Sequence, residues 1–323
     1  MNKYTKAFII IATSMIAAGV ILSAVGFALG GLRSVHFGSQ GFYVDGLPGD
    51  LGVSDDFLRD LDGFSDMDIR VGVYTVVLQK GDGYGLRVHG RRFGEAPVVR
   101  VEDGLLTLRA GEDSLRAGRS GFFENWLSVF PFGIAYSDWD DVVIEITYPS
   151  GARFGDVSIE DSVGSVEIAG LEAASLSVLC SAGSLDIENS ALDALRVDLN
   201  LGECEIENVR AESAVVAMDA GNFSARDFDC GALNGDFSMG KAEVDGGLLG
   251  DVDISTDMGS VFLRTDRPKS EYSVDLNVSL GGATVDGRAV SGVNAGSAIG
   301  GADGAPYSIR VEADMGSVEI EFS

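Results

Sequence analysis

The chain has 323 residues, with Gly high at 44, Pro low at 6, and a formal net charge of −27. Every acidic residue lies after Val44, whereas Lys3, Lys6 and Arg33 precede it, so the bulk of the chain is more acidic than the whole. Such a surface repels nucleic acid and anionic lipid headgroups, no basic patch argues for either partner, and no triplet repeat points to collagen.

Residues 7–29 (AFIIIATSMIAAGVILSAVGFAL) carry no charge. The run is long enough to cross a hydrocarbon core of about 30 Å. Lys3, Lys6 and the amino terminus before it, against Arg33 after it, place the N-terminus in the cytoplasm and the remainder outside the cell. A cleaved signal peptide is the alternative, although its apolar region is normally shorter. The lipid bilayer is thus an expected partner through residues 7–29. Residues 34–63 are turn-rich and read as a juxtamembrane stalk, with one short helix around Asp56–Leu61.

Strands follow. Residues 67–78 are rich in β-branched side chains, and further strands are expected over 85–89, 98–102, 105–109 and 142–148. Asp103-Gly104 is a hairpin signal between the third and fourth of these. Residues 121–140 hold an unusual density of aromatics, among them Phe122, Phe123, Trp126, Phe130, Phe132 and Trp139. Two readings fit this segment: a cap on the open end of a stacked fold, or a contact with membrane or partner.

The next stretch organises the chain. Gly164, Gly183, Gly202, Gly221, Gly240 and Gly259 recur every 19 residues. The residues 7, 5, 3 and 1 before each glycine, and 2 and 4 after it, are apolar except at Asp161, Gly235 and Thr256. This is the period-2 alternation of strands with one buried face, and its parity flips at the glycine, which marks a corner. A constant period favours coils that return to one register over a meander with variable loops. Ile168, Ile187, Ile206, Ala225, Val244 and Leu263 should then stack as one internal ladder. Gly281 and Gly316 extend the series to eight coils, separated by a flexible Gly-, Ala- and Ser-rich loop over 286–304. The expectation is an all-β fold, a parallel β-helix or β-solenoid with coils of about 19 residues, preceded by one N-terminal transmembrane helix. The segments would be 1–33 (cytoplasmic N-terminus and anchor), 34–63 (stalk), 64–151 (N-terminal β-region with the aromatic insert, as capping coils) and 152–323 (regular solenoid).

Several of these features occur together in one known family. They are the N-terminal anchor, the hairpin Asp103-Gly104-Leu105-Leu106-Thr107-Leu108, an aromatic-rich insert, the strand Val142 to Gly151 closed by Tyr148-Pro149, and repeated Gly-Ser-Xaa-Xaa-Ile units at Gly164, Gly183 and Gly316. In these the chain resembles the DUF4097 family of "putative adhesins", β-strand-repeat proteins of bacterial envelopes, over about residues 64–323. The resemblance implies a parallel β-helix akin to bactofilins. It brings no catalytic motif to these positions.

The search for chemistry returns little. Outward carboxylates Glu167, Asp186, Glu205 and Glu243 share one column, interrupted by Ser224, and are weak candidates for a divalent cation; solvation by water and salt is the plainer account. His36 and His89 are the only histidines and lie far apart in sequence. Cys180 and Cys204 fall on inward columns and Cys230 in a connector; they read as small buried side chains, with a disulfide left open, and their spacing does not suit zinc. No catalytic or cofactor-binding residue is expected. The eight glycines are expected as structural corners. The functional expectation is a non-catalytic adhesion, envelope-organisation or stress-sensing module whose partner is an envelope protein or glycan. The alternatives are a polysaccharide-active β-helix enzyme and a scaffold that self-associates.

Overall fold

The computed structural model describes residues 35–38, 41–44, 54–91, 97–111, 142–290, 297–298 and 305–323. The chain forms two units, Met1–Gly52 and Val53–Ser323. In the first, β1 (Val35–Gly38) pairs with β2 (Gly41–Val44) as an antiparallel ribbon. No helix among the described residues is long and apolar enough to cross a membrane, and the expected anchor at 7–29 lies outside the described residues.

The second unit starts with β3 (Ser54–Asp60), β4 (Asp66–Gly81), β5 (Gly85–Arg91), β6 (Val98–Glu102), β7 (Leu105–Ala110) and β8 (Val143–Pro149). It continues with β9 (Phe154–Ala169), β10 (Glu172–Glu188), β11 (Ala191–Cys230), β12 (Leu233–Gly246) and β13 (Val252–Thr265). It ends with β14 (Tyr272–Val285), β15 (Arg288–Ala289), β16 (Ser297–Ala298) and β17 (Tyr307–Phe322).

From β4 onward the chain stacks on itself. β9 pairs in parallel with β4 and β10, β10 with β11, β11 with β12, and β12 with β13. Partners in the repeat stand 19 residues apart: Ile168 pairs with Ile187 and Ile187 with Ile206. Long parallel strands with this register are the expected coils, about 4.8 Å apart. Inward columns form the core: Leu176, Val178, Leu185 and Ile187 are within 1% of full burial, and the same columns recur in each coil. Strands continue through the corners because the glycine bends the backbone without breaking the ladder.

The first end is closed by antiparallel strands. β7 and β8 together make one rung beyond β4, pairing with its first and second halves. β6 then flanks β7, β5 flanks β8, and β3 flanks β5. The Asp103-Gly104 hairpin forms as expected, with both residues at positive φ (51° and 81°). Phe64, Tyr84, Tyr148 and Phe154 pack together at this end, with ring centroids 4.8–5.8 Å apart. The short helix expected around Asp56–Leu61 is instead β3, recruited as a strand by the free edge of β5. Pairing with an open edge outweighs a weak local helical preference.

At the other end the order departs from the sequence. β17 lies between β13 and β14, parallel to both. The spatial order is therefore β12-β13-β17-β14, with the two-residue bridges of β15 and β16 on the outer edge of β14. The coil centred on Gly281 is outermost, and the coil centred on Gly316 sits inside it.

Candidate functional site

The corners form the most regular surface of the stack. A Cβ added to Gly183, Gly202, Gly221 or Gly240 would sit 1.7–1.8 Å from the carbonyl oxygen of the preceding glycine. The φ angles of these four, 135–150°, also exclude an ordinary side chain. The glycines therefore act as structural corners, as the spacing implied, and Gly281 rests on Gly316 and Gly316 on Gly259 in the spatial order above. In the first full rung Tyr74 takes the glycine's place as register partner of Gly164.

The residue before each glycine corrects the sequence reading. Its apolar character implied an inward position, but the chain turns the corner across it and leaves it half-buried at Val163, Ala182 and Ala220 and exposed at the other five. Leu201 is 53% exposed, Met239 47%, Met258 44%, Leu280 67% and Met315 45%. Val163 pairs with Ala182, Ala182 with Leu201, Ala220 with Met239, Met239 with Met258, and Met315 with both Met258 and Leu280. The result is a ladder of apolar side chains on the outside of an acidic protein. Its flanks on the far side of the glycine are mostly small and polar: Ser165, Ser184, Asn222, Ser260 and Ser317. Period-2 reading failed here because a bend consumes one residue of the alternation, and both neighbours of the bend then face out.

The outward carboxylates do align. Glu167, Asp186 and Glu205 are successive register partners, and Ser224 pairs with Glu243. The Asp186 carboxyl is shifted upward, by partial burial first and then by Glu188, Glu205, Glu167 and Glu207. Lys241 pairs with Glu243. Among the described residues no three His, Cys, Asp or Glu side chains converge as metal ligands. The column is a row of like charges.

Asp161 is different. It occupies an inward column between its register partners Val71 and Cys180, is 1% exposed, and neither carboxylate oxygen has a hydrogen-bond partner. Burial pushes its pKa up to about 8; the nearby amides of Val163 and Ser162 oppose the shift without meeting hydrogen-bond geometry. Cys180, Cys204 and Cys230 are free and buried. Burial, with Asp161 adding, pushes the Cys180 thiol up to about 12, and burial pushes Cys230 up to about 11. Burial disfavours the thiolate form through which a cysteine reacts.

A second column escaped the sequence reading. Asn189, Asn208 and Asp227 adopt left-handed backbone at φ 49–52°, six residues after their glycines, and Gly170 at φ 73° precedes them in the series. Asn208 Nδ2 donates to Asn189 Oδ1 at 2.6 Å. Only Gly, Asn and Asp adopt this conformation readily, and their recurrence at the 19-residue spacing was the available signal. These turns and Glu172, Arg210 and Asp229 line a shallow depression, with Arg210 reaching Asp229 at 3.3 Å. The aromatic residues Phe122, Phe123, Trp126, Phe130, Phe132 and Trp139 lie outside the described residues. Their segment leaves the terminal rung after Ala110, which pairs with Val71, and returns before Val143, which pairs with Thr75.

Several solved structures are similar to this chain. A "putative adhesin" from Bacteroides fragilis is 12% identical, with a TM-score of 0.37, covering 84% of this chain and 97% of its own. A second "putative adhesin", from Parabacteroides distasonis, is 10% identical, with a TM-score of 0.37 and coverage of 85% and 98%. A "putative lipid binding protein" from the same species is 13% identical, with a TM-score of 0.40 and coverage of 83% and 97%. No curated protein matches. The sequence pattern of the family described as Toastrack DUF4097 matches residues 64–321. The chain belongs to the Toastrack DUF4097 family.

Proposed function

We propose that this protein is a non-catalytic module of the cell envelope, held in the bilayer by residues 7–29 with its N-terminus in the cytoplasm and its stacked coils outside the cell. It works by presenting a rigid surface to an envelope protein or glycan, in adhesion, envelope organisation or stress sensing. The observation that supports this reading is the apolar ladder along the corner. A line of exposed Leu and Met on an acidic protein suits contact with an extended partner, because contiguous exposed apolar surface marks interaction sites. From Leu201 to Leu280 the line spans six rungs, about 24 Å at the usual strand spacing, with half-buried Ala220 between Leu201 and Met239.

The test replaces Leu201, Met239, Met258, Leu280 and Met315 by Ser and measures retention of the full-length protein, in detergent, on isolated cell envelopes. Loss of retention by tenfold or more, with an unchanged melting curve, supports the reading. Equal retention of wild type and variant refutes the ladder as the contact. Reproducible turnover of any member of a broad glycan panel by the wild type would overturn the non-catalytic assignment. Protease shaving of intact cells tests the orientation, since coils outside the cell should be cleaved, and their protection until the cells are lysed would overturn it.

A further inference from the structure

The placement of the last strand carries an inference of its own. β13 and β14 are consecutive in the chain, yet they do not pair with each other; β17 fills the space between them. Val252 pairs with Ile309 and Thr265 with Phe322 on one side, while Tyr272 pairs with Tyr307 and Val285 with Ile320 on the other. Before β17 docks, β13 and β14 therefore present two facing backbone edges one strand apart. The slot is specific. Ile309, Val311, Ala313, Val318 and Ile320 enter it with 2% exposure or less, and Gly316 stacks between Gly259 and Gly281 where a Cβ would meet backbone. Asp251 Oδ1 accepts from Ser308 N at 2.9 Å and from Ser308 Oγ at 2.8 Å, and Asp286 Oδ1 accepts from Phe322 N at 3.1 Å, which fixes both ends of the strand.

The tether is far longer than a rung change requires. From β12 to β13 the chain needs only the residues between Gly246 and Val252, whereas β14 ends at Val285 and β17 starts at Tyr307. Within it, the described residues of β15 and β16 each make a two-residue contact with β14. Fully extended, the 21 residues between Val285 and Tyr307 span at most about 70 Å, many times the spacing between neighbouring rungs.

We propose that the slot between β13 and β14 accepts the β17 strand of a second copy of this chain, so that two copies pair by reciprocal exchange of their last strands. The occupant is fixed by sequence identity: a neighbour's β17 makes every pair that the chain's own β17 makes. No new contact is required, and the choice between closed monomer and exchanged pair depends on tether length and local concentration. Confinement to a membrane surface favours exchange by raising the local concentration.

The test uses Ser260 and Ser317, outward-facing register partners across the β13–β17 pair. Neighbouring rungs bring Cα atoms within disulfide range, and the native thiols are buried. The doubly substituted chain, S260C with S317C, should close an internal disulfide, and failure to do so overturns the strand order itself. Singly substituted S260C and S317C chains, full length in detergent, are then mixed, unfolded, refolded together and oxidised. A covalent S260C–S317C dimer above the level of a control pair is the product of the β17 of one chain filling the slot of the other. With a tether equivalent to a local concentration near 1 mM, the cross-linked fraction should rise from below about 1% after refolding at 1 μM to tens of per cent near 1 mM. A control mixture of S260C with S158C should stay uncross-linked. Deleting residues 287–305 leaves two residues between Val285 and Tyr307, fewer than the five between Gly246 and Val252 that a rung change uses, and should raise the dimer yield at every concentration. Absence of the S260C–S317C dimer above control at 1 mM overturns the proposal, as does a folded monomer from the shortened chain. If the shortened chain does not fold, the concentration series with the native tether decides.

Discussion

Replacing Asp161 by Val should stabilise the protein and remove a pH dependence that the wild type carries. The carboxyl stands in an inward column between Val71 and Cys180 and has no hydrogen-bond partner. Its pKa rises from 3.8 to about 8 on folding, chiefly through desolvation. Between those values the folded state keeps a proton that the unfolded state has released. Stability is therefore highest below the unfolded value and falls as pH rises through this window, levelling off above about 8. Each unit corresponds to about 1.4 kcal/mol, so the cost at pH 7 is about 4 kcal/mol as an upper figure. Valine has nearly the same volume, does not titrate, and continues the packing of Val71.

Urea titrations followed by far-UV circular dichroism at half-unit steps from pH 4 to 9 give the result directly. The stability difference between D161V and wild type should widen with pH by roughly 1.4 kcal/mol per unit and then level off. Asp66 and Asp245 do not confuse the measurement. The amide of Asp156 holds Asp66 below its ordinary value, and Arg264 does the same for Asp245. Their contributions are present above the unfolded pKa and are lost only as pH falls below it. Parallel curves for wild type and D161V would show that Asp161 is solvated or paired, and would refute the argument.

The other predictions concern facing and corners. Gly202→Ala should cost about 3 kcal/mol or more, since its Cβ would meet the Gly183 carbonyl oxygen 1.8 Å away at φ 145°, whereas Gly83→Ala meets nothing within 4 Å and should leave the melting temperature unchanged. Ile187→Asp should unfold much of the stack in a thermal melt, because Ile187 is fully buried and an unpaired carboxylate there costs several kcal/mol. Asp186→Ser should be neutral or slightly stabilising, because it relieves burial and the repulsion of Glu188, Glu205, Glu167 and Glu207. Leu199→Ser, at 1% exposure, should lose about 3 kcal/mol in urea titration, against less than about 1 kcal/mol for Leu201→Ser two residues on at 53% exposure. Tyr148→Phe, which removes the hydroxyl that donates to the Ala169 carbonyl at 3.1 Å, should lower stability by about 1 kcal/mol.

The period was legible because a stacked coil must repeat its count to keep register, and the sequence shows that count in its glycines and in the columns of Ile168, Ile187 and Ile206. The corner ladder was misread for a local reason. Leu201 and Met239 are as apolar as Leu199 and Phe237, and hydropathy does not record which side of a bend a residue occupies. The left-handed turns at Asn189, Asn208 and Asp227 were visible as a conserved interval but carried no apolar signal, so a reading based on alternation passed over them. The buried carboxyl of Asp161 appeared as an exception to the inward pattern, and the exception is real: the carboxylate is inside.

The order of the last two rungs was hidden by the regularity that revealed the rest. When every coil offers the same glycine corner and the same apolar columns, any coil can lie on any other, and the repeat alone does not say which is neighbour to which. Connectors decide. A short passage such as that from Gly246 to Val252 admits only the adjacent rung. The longer step through Arg267, Pro268 and Lys269 places β14 one rung too far, where Arg267 lies 5.9 Å from the Tyr307 ring and Lys269 5.6 Å from the Phe322 ring, both rings belonging to the strand that fills the gap. Tyr272 meets the same two rings at 5.9 and 5.6 Å. The irregular intervals before Gly281 and Gly316 are therefore not a fading of the repeat. They are the lengths that a skipped rung and a returning strand require.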